Sequence, residues 1–207
     1  IAGVLGSGAD FQRGYMAVAT APSIKGPYEL VNRIAQPELP MGDFDLVQED
    51  GKAYIIYERP HTEMICQTLT DDYTGVTQQV SHHIYRGNPP FTREAPCLFR
   101  REGRRFLIAS GTTGYYPNET ETFELDDFHG EWRMLGKTCV GDRQHNSFHA
   151  QFSSVFHVPG TDVYIAMGDR WLTDLPCDMP DMEMLYQNKY PRSADFEQRF
   201  PRYASLS

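Results

Sequence analysis

The feature that most constrains the fold of this chain is a hairpin-like segment that occurs three times. Each copy has a short apolar strand, a turn containing glycine and a second strand with an aromatic residue: DLVQEDGKAYIIYE (45–58), CLFRREGRRFLIAS (97–110) and SVFHVPGTDVYIAMG (154–168). The turn glycines are Gly51, Gly103 and Gly160, so the repeat is 52 and then 57 residues long. Glycine suits these turns because it adopts the positive φ that tight hairpins require. The chain is therefore a series of antiparallel strand repeats.

Two of the hairpins are followed by a further pair of strand candidates, within 64–80 and 121–136. Four antiparallel strands repeated every ~40 to 50 residues are typical of a β-propeller blade. A β-sandwich is the alternative, but it gives no reason for a repeat near 52 residues. We therefore predict an all-β fold, and within it a β-propeller.

The repeat predicts the end of one blade (1–35), two whole blades (41–88 and 92–142) and the start of another (146–175). Because a ring cannot close on these blades, we expect part of a longer propeller that lacks at least its first blade and a half. Residues 1–175 are then a partial propeller domain. Residues 176–207 remain unassigned, and we expect them to close part of the same domain.

Composition excludes some classes of partner. The formal net charge is −9 and the pI is about 5.2, whereas nucleic acids and anionic membranes bind basic surfaces. No segment reaches the ~18 apolar residues of a membrane-spanning helix, so we predict no membrane insertion. The four cysteines lie far apart without a CxxC pair, which leaves disulfides and buried thiols as alternatives.

Polar residues occur at one equivalent place in each repeat, immediately before the first hairpin strand. They are Asp43 and Asp45 in the first repeat, Glu94 in the second, and His149 and Gln151 in the third. Carboxylates, an amide and a histidine that meet in a funnel could cleave a sugar, because this reaction needs a proton donor and a group that holds water. Asp43 is equally explained as a turn residue. A histidine such as His149 is more often a hydrogen-bonded core residue than a catalyst. Glu94 is the stronger candidate, since a charge before an apolar strand is costly unless it is used or paired.

Three segments, MGDFDLVQEDGKAYIIYE, TREAPCLFRREGRRFLIASGTTGYYPN and SFHAQFSSVFHVPGTDVYIAMGDRW, resemble glycoside hydrolase family 43. They are most similar to the branch that contains galactan 1,3-β-galactosidases, and ATAPSIKGPYELV extends the resemblance toward the N-terminus. The resemblance covers about residues 14–171 and implies a five-bladed β-propeller.

The resemblance also implies roles for single residues. Glu94, in the EAP motif, matches the general acid of the family. Asp43 matches the aspartate that modulates the pKa of this acid, with Asp45 as the alternative because the hairpin is one residue shorter here. Gln151 matches a glutamine that positions water in the galactanase-like branch. The usual catalytic base lies in a first blade that this sequence does not contain.

Candidate substrate-binding residues lie in the second and third repeats. The resemblance places Thr113 and the 115–118 turn in a sugar-contacting loop and Asp169 near the pocket. Tyr115, Tyr116 and Trp171 are explained either by ordinary packing or by sugar stacking. The full set of predicted substrate contacts is Thr113, Tyr115, Asn118, His149, Asp169 and Trp171.

Family membership would make the protein an inverting glycoside hydrolase acting on polysaccharide side chains, with β-1,3-galactan as the named candidate. The acid and the water-holding group are then expected roughly 6.5 to 9.5 Å apart. A non-catalytic carbohydrate-binding propeller, or an inactive homologue, is the alternative. A third alternative is another five-bladed glycosidase family or a fructan-transferring family, but the motifs of those families do not occur in this sequence.

The sequence predicts no required cofactor and no metal-binding residue, because it lacks an Asp-rich loop of the calcium type. The resemblance allows a structural calcium on the propeller axis. A polysaccharide substrate further implies a secreted or periplasmic protein.

Overall fold

The computed structural model describes residues 2–5, 15–35, 38–171 and 173. In this part of the chain the ordered elements are β-strands and one short 3-10 helix, Ser147–His149. The strands are β1 (Ala2–Leu5), β2 (Tyr15–Thr20), β3 (Glu29–Ala35), β4 (Phe44–Glu49), β5 (Lys52–Arg59), β6 (Glu63–Leu69), β7 (Val76–His83), β8 (Arg93–Arg101), β9 (Arg104–Gly111), β10 (Glu121–Leu125), β11 (Trp132–Lys137), β12 (Gln151–His157) and β13 (Tyr164–Asp169). No helix among these residues has the length and apolar character needed to cross a bilayer.

The strands form separate antiparallel sheets in which chain neighbours pair. Strands β4 to β7 make one four-stranded sheet and β8 to β11 make another, which confirms the two whole blades. Strands β12 and β13 form a two-stranded sheet, as expected for the start of a further blade. The first sheet has three strands. Strands β2 and β3 form the predicted pair, and β1 (residues 2–5) pairs with β2 as a further strand. The all-β prediction is therefore confirmed.

The hairpin turns have the conformation that their sequences predict. Asp50 and Gly51 have φ angles of 50° and 78°, and Glu102 and Gly103 have φ angles of 52° and 75°. Two successive residues at positive φ define the tight turn whose twist matches that of the paired strands. Each turn thus sets the register of the two innermost strands of its blade.

The sheets pack face to face, and the hydrophobic core lies between them. One cluster joins the first two sheets through Met16, Val18, Ile55 and Ile65 among others. A second cluster joins the β4–β7 sheet to the β8–β11 sheet and includes Ile56, Met64, Cys66, Leu107, Phe123 and Phe128. Every residue of β6 is buried because both of its faces are covered. This packing of successive blades is that of a β-propeller.

The first strands of successive sheets, β4, β8 and β12, lie side by side. The carboxylate of Asp45 in β4 accepts a hydrogen bond from the backbone N–H of Leu98 in β8 at 2.7 Å. A charge-assisted bond of this kind stabilises the contact between two blades. The candidate site residues therefore meet where these inner strands begin.

The cysteines within the described residues, Cys66, Cys97 and Cys139, are free thiols. Burial raises the pKa of both Cys66 and Cys97 to about 12, so these two thiols stay protonated and act as small packing groups. Cys177 and the predicted segment 176–207 lie outside the described residues.

Candidate active site

Glu94 is presented by a β-bulge near the start of β8. Glu94 pairs with Ser110 and Cys97 pairs with Ile108, so Ala95 and Pro96 together oppose a single residue of β9. Ala95 has a positive φ of 49°, and proline has no N–H to donate to the ladder. The sequence predicted a position before the strand, but Glu94 lies within it.

Asp43, immediately before β4, reaches across to this bulge. Its Oδ2 atom accepts a hydrogen bond from the backbone N–H of Ala95 at 3.2 Å. The carboxylate of Asp45 lies further along the strand, where Leu98 and Leu46 donate their backbone N–H groups to it at 2.7 and 2.8 Å. Of the two alternatives left open by the sequence, Asp43 is the neighbour of Glu94.

A third carboxylate, Glu58 near the end of β5, was missed by the sequence analysis. Its backbone pairs with the segment before β4, because Gly42 N–H donates to Glu58 O and Glu58 N–H donates to Asp43 O, both at 2.8 Å. The residue is only 4% exposed. Its Oε1 atom accepts a hydrogen bond from the backbone N–H of His61 at 2.7 Å. An acid directly after the apolar run of 54–57 is the sequence signal that could have found it.

These carboxylates shift one another's pKa values. Burial, followed by the charges of Glu58 and Asp43, raises the pKa of Glu94 from 4.5 to about 8, against the opposing effects of a hydrogen bond from Gln151 and the charge of Arg93. Burial is also the main cause that raises the pKa of Glu58 to about 7, with a further contribution from Asp43. Like charges at short range disfavour joint ionisation, so Glu94 carries a proton at neutral pH.

Gln151, the first residue of β12, contacts Glu94 directly. Its Nε2 atom donates to Glu94 Oε1 at 3.2 Å and to Ser110 Oγ at 2.9 Å. Its Oε1 atom accepts a hydrogen bond from the indole N–H of Trp171 at 3.0 Å. The expected separation of roughly 6.5 to 9.5 Å is therefore wrong for this arrangement, because β8 and β12 are neighbouring inner strands and their first residues face each other.

An open, shallow pocket lies beside Gln151. Tyr115 and Trp171 are 67% and 53% exposed at its wall, and their ring centroids are 5.5 Å apart. Aromatic faces of this kind suit the apolar face of a sugar ring. The lining residues are Ser110, Gly114, Tyr115, Tyr116, Pro117, Asn118, His149, Ala150, Gln151, Asp169 and Trp171, which include every predicted substrate contact except Thr113.

Thr113 instead lies buried beneath the loop that carries the tyrosines. Its hydroxyl donates to Tyr116 O at 2.6 Å and accepts from the Asn118 amide at 2.6 Å. The same amide exchanges hydrogen bonds with the backbone of Gly111 at 2.7 and 2.8 Å. Thr113 therefore shapes the loop and does not line the pocket.

The segment that leads into β12 has an unusual backbone. Ser147, Phe148 and His149 all have positive φ angles, between 55° and 64°, a conformation that is costly for residues with a side chain. Ser147 offsets part of this cost, because its N–H donates to Asp142 Oδ2 at 2.6 Å and its hydroxyl donates to Asn118 O at 2.7 Å. His149 is 6% exposed, and within the described residues neither ring nitrogen has a hydrogen-bond partner.

Among the described residues, one group of side chains has ligand atoms close enough together to bind the same cation. A carboxylate oxygen from each of Glu58 and Glu94 and a ring nitrogen of His61 all lie within 4.8 Å of one another. Calcium takes six to eight oxygen ligands, and this set offers two carboxylates and a nitrogen. The donor set therefore does not suit the structural calcium that the sequence resemblance allowed.

Known proteins resemble this chain over most of its described length. The sequence model of glycosyl hydrolases family 43 matches residues 5–168. The structure is similar to that of a family 43 β-1,3-galactosidase with a TM-score of 0.68 and 30% identity, over 81% of this chain and 35% of that one. A comparison with curated protein sequences gives no match.

Two further structures are similar at lower identity. An exo-β-1,3-galactanase from Clostridium thermocellum has a TM-score of 0.66 and 25% identity, over 79% of this chain and 37% of that one. An exo-β-1,3-galactanase variant from Phanerochaete chrysosporium with β-1,3-galactotriose has a TM-score of 0.62 and 27% identity, over 76% of this chain and 36% of that one. The chain thus spans little more than a third of each of these structures.

Proposed function

The chain belongs to glycosyl hydrolase family 43, and on this basis we propose that the protein carrying it hydrolyses β-1,3-linked galactan with Glu94 as general acid. Structures similar to this chain are named as β-1,3-galactosidase and exo-β-1,3-galactanase, and one of them was solved with β-1,3-galactotriose. These names support a β-1,3-galactoside as the substrate. The fold supports the family assignment, because two complete blades and parts of two others belong to the five-bladed propeller of the family.

The observation that carries the proposal is the environment of Glu94. Burial and two neighbouring carboxylates raise its pKa to about 8, so the group keeps its proton under neutral conditions. A carboxylic acid that stays protonated near neutral pH can protonate the leaving oxygen of a glycosidic bond. Asp43 contributes in the manner expected of a modulating carboxylate, because its charge favours the protonated form of Glu94.

We assign Gln151 to the positioning of water, which requires its amide to turn away from Glu94 when a sugar enters. The hydrogen bond from Gln151 lowers the pKa of Glu94, so breaking it would strengthen the hold of Glu94 on its proton. Substrate entry would thereby keep a larger fraction of Glu94 protonated. The amide cannot itself accept the proton that the attacking water releases.

Inversion of the anomeric centre is part of the proposal. A retaining enzyme needs an ionised carboxylate that reaches the anomeric carbon. Two carboxylates lie beside the acid. Glu58 is 4% exposed and accepts the N–H of His61, and burial raises its pKa to about 7. Asp43 accepts the N–H of Ala95 at the bulge. These properties do not suit a nucleophile. Proton NMR of the first-formed sugar tests the assignment, and an initial product that keeps the anomeric configuration of the substrate would refute it.

The activity itself is tested with the full-length protein on β-1,3-galacto-oligosaccharides, with arabinan and xylan oligosaccharides as comparison substrates. We expect galactose-containing products, and a loss of about 10²- to 10⁴-fold in kcat for Glu94→Gln. Glu63→Gln is the matched control, because Glu63 is a buried glutamate of the adjacent blade, in strand β6. A nitrophenyl galactoside, whose leaving group needs no proton, should lose much less activity in Glu94→Gln.

One observation favours a second candidate function, the binding of carbohydrate without turnover. The exposed rings of Tyr115 and Trp171 form a wall that would stack on a sugar whatever the chemistry nearby. Calorimetry with β-1,3-galactotriose separates the two functions. Binding without products from any substrate would support the second function and refute the first.

A further inference from the structure

The carboxyl groups of Glu58 and Glu94 come from different blades and meet in a largely buried space. One oxygen of each lies within 4.8 Å of the other and of a ring nitrogen of His61. Glu58 is the second-last residue of the second strand of its blade, whereas Glu94 is the second residue of the first strand of the next blade. The contact therefore depends on how the two blades pack.

We propose that Glu58 is a positioning residue that shares a proton with Glu94 and so keeps the acid ready to donate, an inference that rests on the proposed function. Two carboxyl groups this close are most stable when the pair holds a single proton, because two adjacent negative charges repel. The two raised pKa values, about 7 for Glu58 and about 8 for Glu94, agree with this arrangement.

Gly42 makes room for the carboxylate of Glu58. A Cβ atom at position 42 would lie 2.6 Å from Glu58 Oε2, which is closer than such atoms approach one another. Gly42 does not have a positive φ angle, so glycine is needed here for space and not for its backbone conformation. Any larger residue at position 42 would displace the Glu58 carboxylate.

Besides His61, the groups that face this carboxyl pair come from three elements. Asp43 adds negative charge from the segment before β4, and Gln151 donates a hydrogen bond to Glu94 from β12. Arg93 lies on β8, but its guanidinium forms an ion pair with Glu121 at 3.4 Å and donates to Glu119 O at 3.1 Å. Negative charge therefore dominates the space around the two carboxyls, which favours retention of a proton.

His61 connects the pair to solvent. Its Nδ1 atom lies 3.6 Å from Glu58 Oε1, and its side chain is 59% exposed. After Glu94 donates the shared proton to the leaving oxygen, both carboxyl groups are ionised. Their repulsion favours the uptake of one proton from solvent through His61, and the attacking water releases one proton to solvent, so the cycle balances.

The test uses three variants of the full-length protein. Glu58→Gln removes the charge and the exchangeable proton, whereas Gly42→Ala keeps the carboxylate but moves it. Glu63→Gln is the control, because it removes a buried charge of the same blade that is not among the charges acting on Glu94. The protonation of Glu94 is followed by infrared difference spectroscopy of the carboxyl band that disappears in Glu94→Gln.

We expect the titration of this band to move to lower pH by about one unit in both Glu58→Gln and Gly42→Ala, and not in Glu63→Gln. The alkaline limb of kcat/KM for β-1,3-galactotriose should move in the same direction. An unchanged Glu94 titration in Glu58→Gln would overturn the inference. So would a raised KM with an unchanged pH profile, because it would make Glu58 a sugar contact.

The infrared titration does not depend on turnover. If the band shifts as expected while the wild-type protein cleaves no substrate, the shared proton is supported and the proposed function fails. If the wild-type protein cleaves galactan but the band does not shift, the proposed function survives and the role of Glu58 is refuted.

Discussion

Replacing Glu94 with glutamine should make the protein more stable at alkaline pH, although it removes the proposed acid. The pKa of Glu94 is about 8 in the folded protein and 4.5 in an exposed glutamate. Below pH 4.5 the carboxyl is protonated in both the folded and the unfolded chain, so it does not affect the free energy of unfolding. Between pH 4.5 and about 8 only the unfolded chain ionises, and stability falls as the pH rises.

The size of the effect follows from the same two values. A pKa difference of three and a half units corresponds to about 5 kcal/mol at pH 9, since each unit is worth about 1.4 kcal/mol. Because part of the carboxyl group reaches solvent, we expect about 3 to 5 kcal/mol of this penalty to disappear in Glu94→Gln. The amide oxygen can still accept the hydrogen bond that Gln151 donates at 3.2 Å, so little is lost in exchange.

Urea unfolding of the full-length protein at pH 4.5 and pH 9 measures this difference. Glu124→Gln is the control, because hydrogen bonds from Arg104 and Arg133 hold the pKa of Glu124 below its usual value. That control should show no gain in stability at pH 9. If Glu94→Gln and the wild-type protein differ equally at both pH values, the reasoning about burial and charge at Glu94 is refuted.

Three further predictions concern the blade contacts and the pocket. Asp45→Ala should lower the free energy of unfolding in urea by about 1 to 3 kcal/mol, since Leu98 N–H loses its acceptor, and an unchanged value would contradict this. Trp171→Ala should weaken calorimetric binding of β-1,3-galactotriose about tenfold, and equal affinity would remove it from the sugar site. Glu121→Gln should cost about 3 to 5 kcal/mol in urea unfolding because it leaves the Arg86 charge buried, and a neutral effect would refute this.

The blade organisation was predictable because its signals are local. A residue pair such as Asp50 and Gly51 selects a tight turn through its own backbone preferences, whatever lies elsewhere in the chain. The spacing of such turns then predicted the sheets. Glu94 was also predictable, since a charged residue before Ala-Pro and an apolar strand indicates a special environment. The bulge that aims it uses the proline of that same motif.

The electrostatics of the site depend on contacts between blades, and these have no local signal. Asp43 and Asp45 precede or begin the same strand, and only their hydrogen bonds to Ala95 and Leu98 show which one neighbours the acid. Glu58 acts on Glu94 from 36 residues earlier in the chain, through a backbone pairing and a space left by glycine.

The direct contact between Gln151 and Glu94 joins residues that are 57 positions apart. Sequence motifs identified both residues, but they did not predict that the two side chains touch. The turn chemistry along the chain determined the strands and the positions of the candidate acid and amide. The packing of one blade against the next determined their distances and their protonation, because desolvation and charge repulsion exist only once distant segments come together.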